Sequence, residues 1–332
     1  MHNNDALSGL LSAFRQSYDA QNFGLAADAA DEALERFPLA AYRHFVNYQS
    51  YPWSQVLRLT GRLDSTVSRL DSLFSEIPLL NLACADDGQV DANVALRRLR
   101  IEQGLPSPLF VTQAKSGTVT LATIFAAGFN LPCFTYSLVN LRVIPSWARD
   151  YARGGACYVT HLNATPENVA NLKTAGITRA MVHVRDPRQA LVSFVHHLMK
   201  YQDHLPRSAY GDFRELPFAD QIDWVLENGE YYYDTIEWLE RWLDAATEID
   251  VHFSTFEQFR EHPDRVIDEC LTFYGGDPRW FQRDEVFVQQ QGVDYHFRLG
   301  ETAEWRRVMT TRQIERVEAG LSPRLRARFS WS

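Results

Sequence analysis

The chain has 332 residues, 45% of them hydrophobic and 23% charged, and carries a net charge of −9 at neutral pH. It holds enough apolar side chain for one large core or two smaller ones, which marks it as globular. The acidic balance argues against a protein that grips nucleic acid or an anionic membrane through its surface charge, so any anionic ligand must be held by a local cluster of cations.

The N-terminal stretch MHNNDALSGLLSAFRQ lacks a basic segment followed by an apolar one, and no run of apolar residues is long enough to span a bilayer. Cys84, Cys133, Cys157 and Cys270 are far apart and form no CxxC pair, so neither a zinc site nor a disulfide framework is expected. These features predict a cytoplasmic protein without a membrane span.

Residues 1–104 read as a helical N-terminal extension. Amphipathic spacing predicts helices from Leu7 to Tyr18, from Leu25 to Phe37, and in further stretches through Leu80 and from Val94 to Gln103. The segment YDAQNFGLAADAADEALERFP resembles a single tetratricopeptide hairpin, but repeats of that kind need about three copies to bury their faces. The aromatic residues Tyr42, Phe45, Tyr48, Tyr51 and Trp53 fit either a helix-packing core or the wall of a small-molecule pocket. The extension as a whole could serve the acceptor site or a protein partner.

After Pro106-Ser107-Pro108 the pattern changes to short apolar runs alternating with helical segments, the mark of a parallel sheet covered on both faces. Strands are predicted at 109–113, 157–162, 178–185 and 249–256. Helices are predicted from Thr118 to Ala127, Pro166 to Ala175, Pro187 to Tyr201, Ala219 to Glu227, Tyr231 to Ala246 and Pro263 to Tyr274. Polar stretches at 203–217 and 284–304 read as long loops. The fold class is therefore α/β, a central parallel sheet flanked by helices over residues 105–332, with a helical extension before it.

Three strand-to-helix junctions carry the chemistry. In LFVTQAKSGTVTLATIF, residues Lys115, Ser116, Gly117 and Thr118 fill the turn between a buried strand and an apolar helix. Backbone N–H groups at the helix start, the helix dipole and the lysine charge all favour an anion there. A plain Ser/Thr-capped helix would also read this way, and the lysine precedes the glycine, so this is no Walker A loop. In TRAMVHVRDPRQALVSFVHHL, Arg185 ends a strand and Ser193 lies two turns into the next helix. Arg185 could grip a phosphate in bidentate fashion, or an Arg–Asp pair within RDPR could merely cap the helix. In CYVTHLNATPENV, His161 sits at the end of a strand, where open parallel sheets place ligands and where a base could act.

Taken in order, KSGT, THL 45 residues later and RDPRQALVS resemble the PAPS-dependent sulfotransferases, PAPS being 3′-phosphoadenosine 5′-phosphosulfate. FEQFREHPDRVIDECLTFYG is similar to that family's YED segment, with Phe256, Glu257 and Gln258 in its positions. YYYDTIEWLERW is similar to the segment supplying an adenine-contacting tyrosine, here Tyr233. FRLGETAEWRR is similar to the nucleotide-covering loop, with Arg298, Leu299 and Gly300. The resemblance covers 106 to about 315 and implies that the sheet belongs to a P-loop-like three-layer sandwich.

The resemblance implies that Lys115 to Thr118, continuing into Val119 and Thr120, bind the 5′-phosphosulfate. It assigns Arg185, Ser193, Arg298 and Gly300 to the 3′-phosphate and His161 to the role of general base, with Lys115 sharing in catalysis. It implies PAPS as co-substrate with PAP (adenosine 3′,5′-bisphosphate) as product, no metal, and a small-molecule acceptor hydroxyl or amine. Four positions depart from the pattern: Val119-Thr120 replaces Thr-Trp, Val159 replaces a lysine, and Leu299 replaces the lysine of the covering loop. Arg306, Thr310, Thr311 and Glu315 resemble a short dimer motif of some members and point to a homodimer. Two other readings fit the same junctions: a nucleotide-dependent phosphotransferase using ATP and magnesium, and a non-catalytic scaffold with a partner-binding helical part.

Overall fold

The computed structural model describes residues 2–331 apart from 49, 77–86, 106, 136–141, 201–212, 229, 278, 280 and 284–299. The N-terminal part is helical, as expected: α1 (His2–Asp19), α2 (Phe23–Arg36), α3 (Pro38–Tyr48), α4 (Ser50–Leu59), α5 (Leu63–Glu76) and α6 (Asp87–Glu102). Two of its hairpins close with the same turn. Gln21 and Gly61 both take left-handed conformations, with φ of 55° and 67°. The following N–H groups, of Asn22 and Arg62, reach back to the carbonyls of Ser17 and Leu57 at 2.8 and 3.0 Å. The sequence shows only the first hairpin, because its second copy shares the turn geometry without sharing the residues.

Tyr42, Phe45 and Trp53 are fully buried in this helical core beside Phe14 and Tyr18. Phe45 stacks on Trp53 at 4.9 Å and Tyr42 meets Phe74 edge-on at 5.2 Å. Of the two readings of the aromatic cluster, these three residues take the packing one; the side chains of Tyr48 and Tyr51 lie outside the described residues.

The remainder builds one parallel five-stranded sheet in the order β2-β3-β1-β4-β5, with β1 (Leu109–Thr112), β2 (Cys133–Thr135), β3 (Cys157–Thr160), β4 (Arg179–Val184) and β5 (Asp250–Thr255). Four strands fall where the sequence predicts them. The fifth, β2, is a three-residue edge strand after Pro132, too short to show a hydrophobic period. The pleat sorts side chains by parity. Leu109, Val111, Tyr158, Ala180 and Val182 face one side, where they share a core with the N-terminal helices. Phe110, Cys157, Val159 and Met181 face the other, under α7 (Thr118–Phe129) and later helices of that layer. Tyr274 ties the N-terminal edge of the sheet: its hydroxyl donates to the Leu109 carbonyl at 2.6 Å and accepts from the Leu109 and Met181 N–H groups.

β1 connects through α7 to β2 on one side of the sheet, whereas β4 connects onward to β5 on the other. The crevice at the C-terminal ends of β1 and β4 is thus the point of reversal where open α/β sheets receive ligands.

Candidate active site

The turn after β1 is shaped by two left-handed residues, Lys115 with φ 71° and Gly117 with φ 89°. Gly117 is also the N-cap of α7 and supplies no side-chain bond. The first N–H groups of α7 therefore have no capping side chain, unlike those of helices begun by Thr165, Thr255, Thr310 and Ser322, and their partial positive charge faces the turn. A side chain at position 117 would be strained by the backbone and would also press on Phe256, whose ring atoms stand 3.2 Å from where a Cβ would lie.

Phe256 begins the short helix after β5 and stacks under Arg185, whose guanidinium carbon lies 4.0 Å from the ring centroid. Arg185 donates to the Lys115 carbonyl at 3.0 Å and to the Glu301 carbonyl at 2.6 Å. It therefore joins the turn after β1 to the segment that follows Gly300. The Arg–Asp pair of RDPR also exists, but Arg188 makes it. Asp186 accepts from the Arg188 backbone N–H and from its guanidinium, while Arg188 also reaches Glu318 and lies over the Trp305 ring. Arg188 thus anchors α10 (Pro187–Lys200), and Arg185 is left at the crevice.

Ser193 is half-buried, one turn beyond Gln189 on α10. Gln189 meets Glu304 and the Trp305 N–H, so Ser193 shares the helix face turned to the 300–305 segment. Gly300 takes a φ of 65°. Val119 is exposed and Thr120 half-buried in the first turn of α7. Tyr233 lies on α12 (Glu230–Ala245) with its side chain outside the described residues, and Arg298 and Leu299 lie outside them altogether.

His161 follows β3. Its Nδ1 lies 2.6 Å from the Thr112 carbonyl, with the Thr112 hydroxyl at 3.1 Å. A carbonyl can only accept, so Nδ1 carries the hydrogen and Nε2 keeps its lone pair, the tautomer a base requires. The same Thr112 hydroxyl is 2.8 Å from that of Thr118 at the head of α7. The backbone around the imidazole is fixed from behind: Trp238 Nε1 donates to the carbonyls of His161 and Leu162, and Trp242 Nε1 to that of Leu162. Nothing in the sequence marks Thr112, Trp238 or Trp242 as parts of this arrangement: Thr112 holds the ring through its own carbonyl, and the two indoles bond backbone carbonyls of a distant segment.

The electrostatics are cationic. Burial, then the charges of Arg185 and Lys200, draw the Lys115 pKa down to about 8. Burial, then the Lys115 charge, hold His161 below the usual histidine value against the opposing hydrogen bond to Thr112. His161 is consequently neutral at pH 7. Among the described residues no three histidine, cysteine or acidic side chains converge as a metal site.

Residues 106–327 match the family model described as sulfotransferase domain. The chain belongs to the sulfotransferase domain family. No curated protein sequence matches this sulfotransferase. Among solved structures, mouse sulfotransferase SULT7A1 complexed with PAP is similar, with 16% identity, a TM-score of 0.51, and coverage of 68% of this chain and 89% of that one. At that identity the likeness bears on the fold. The sulfotransferase fold accounts for the sheet and the crevice described above. No helix among the described residues is long and apolar enough to cross a membrane.

Proposed function

We propose that this sulfotransferase takes PAPS as donor and transfers its sulfuryl group to a hydroxyl or amine of a small molecule, releasing PAP. The observation that carries the reading is the junction of Lys115, Arg185 and His161: a cationic, uncapped helix start linked by hydrogen bonds to an arginine on one side and to a neutral imidazole on the other. In this reading Lys115, Ser116, Gly117 and Thr118 hold the 5′-phosphosulfate, with Val119 and Thr120 beside them. Arg185 and Ser193, with Arg298 and Gly300, take the 3′-phosphate, and Tyr233 has the role of the adenine-contacting residue.

Sulfuryl transfer passes through a loose, in-line transition state in which charge gathers on the leaving phosphate. Lys115 and the α7 N–H groups stabilise that charge, and fixed donors at a water-poor site do so without reorganising. His161 Nε2 accepts the acceptor's proton as the new bond to sulfur forms and the sulfur–oxygen bond to the phosphate breaks. This chemistry requires no metal. The protein acts in the cytoplasm, and the Arg306–Glu315 segment, whose Thr310 caps α16 (Thr311–Gly320), pairs two copies.

Calorimetric titration with PAP in the presence of a chelator tests the donor half. We expect micromolar binding and a raised melting temperature, since a ligand specific for the folded state stabilises it. Binding of ATP with magnesium, and none of PAP, would replace this reading with phosphoryl transfer.

A further inference from the structure

Gln113 stands at the end of β1, two residues before Lys115, and is 2% exposed. Its side-chain oxygen accepts the Arg185 backbone N–H at 2.7 Å. That bond settles the orientation of the amide, because only the oxygen can accept, so Nε2 carries two N–H donors. Nε2 is buried and makes no hydrogen bond. The backbone of Gln113 belongs to the same turn: its N–H bonds the His183 carbonyl at 2.8 Å and its carbonyl takes the Ser116 N–H at 3.1 Å. The Ser116 hydroxyl, on a residue 0% exposed, is a second buried group without a partner. The buried carboxyl of Glu257 takes the Asp186 N–H at 3.3 Å and makes no bond to Gln113.

Buried donors are almost always paired in folded proteins, because leaving one unpaired forfeits its hydration without return. Two of them flank Lys115 in a turn whose neighbouring charges, those of Arg185 and Lys200, are positive. An acceptor of several lone pairs and negative charge would pair such donors and suit the positive charges around them.

We propose that Gln113 is a nucleotide-binding residue, its Nε2 donating to a phosphate of the sulfonucleotide while its Oε1 holds the Arg185 backbone in place. The proposal rests on the PAPS reading and adds to it a neutral donor at a position that neither the motif nor its charge pattern marks. Because Gln113 bonds the Arg185 backbone and flanks Lys115 in sequence, it couples the turn after β1 to the turn after β4.

The test compares PAP affinity, measured by calorimetry without metal, in wild type, Gln113→Glu and Gln113→Met. Gln113→Glu keeps the oxygen that accepts from Arg185 and sets a negative oxygen where the donor was. Gln113→Met keeps the volume and removes, without adding charge, both the donor and the oxygen that accepts from Arg185. We expect PAP binding to weaken about tenfold or more in the methionine variant, the usual worth of a hydrogen bond to a charged group, and at least as much in the glutamate variant, which adds repulsion. A cooperative melt without ligand shows that each variant is folded, and if the glutamate variant is not, the methionine variant decides. Variant affinities within about twofold of wild type would overturn the role of Gln113 and leave the PAPS reading standing. Failure of wild type to bind PAP would remove both.

Discussion

Replacing His161 by alanine is expected to lower turnover by about 10² to 10⁴, the usual contribution of a positioned base, with PAP affinity nearly unchanged. The expectation follows from how the ring is held. Nδ1 is committed to the Thr112 carbonyl, so Nε2 is the one nitrogen available to an incoming proton. The Trp238 and Trp242 indoles fix the backbone just after the ring's attachment, and their bonds survive the substitution because they use carbonyls. Loss of the imidazole should thus remove the proton acceptor while leaving the nucleotide turn intact. Steady-state kinetics beside a PAP titration separates the two. Turnover close to wild type would exclude His161 as the base, and loss of PAP binding would make its role structural.

Replacing Lys115 by alanine should lower kcat/KM for PAPS by about 10² to 10³, comparable to the loss of one fixed donor from an anion-stabilising site. Binding and turnover should both fall, because the charge meets ground state and transition state alike. The pH dependence gives this prediction a sharper form. His161 must be neutral to act, so activity rises with pH through a histidine pKa held below its ordinary value. Lys115 must be charged, so kcat/KM falls again as the free enzyme loses that proton at about pH 8. In Lys115→Ala the alkaline limb should disappear. The acid limb should shift upward, since removing a nearby positive charge stabilises the imidazolium. A profile from wild type and variant that keeps the same alkaline limb would assign that limb to another group.

The fold was legible in the sequence to different depths. The interior strands and their helices show because strands buried on both faces read as unbroken apolar runs, and amphipathic helices read by their period. The edge strand Cys133–Thr135 does not, being shorter than either period can register. The second N-terminal hairpin was hidden for another reason: Gly61 and Gln21 reach the same left-handed turn from different residues.

At the site, sequence order alone brings out Lys115, His161 and Arg185, because each stands where a strand meets a helix. RDPR left open which arginine pairs with Asp186, and three-dimensional packing assigns that pairing to Arg188 through Glu318 and Trp305, far along the chain. Gln113, Trp238 and Trp242 act through backbone N–H and carbonyl groups of other segments, and Thr112 through its own carbonyl, and such bonds leave no trace in residue type or spacing.

The most direct test of sulfuryl transfer from PAPS is to incubate the wild-type protein with radiolabelled PAPS and a panel of phenols, alcohols and amines, without metal, and to follow the label. The account predicts labelled product with at least one acceptor and matching release of PAP. Labelled sulfate that stays wholly in PAPS across the panel, while γ-labelled ATP with magnesium yields phosphorylated product, would contradict it.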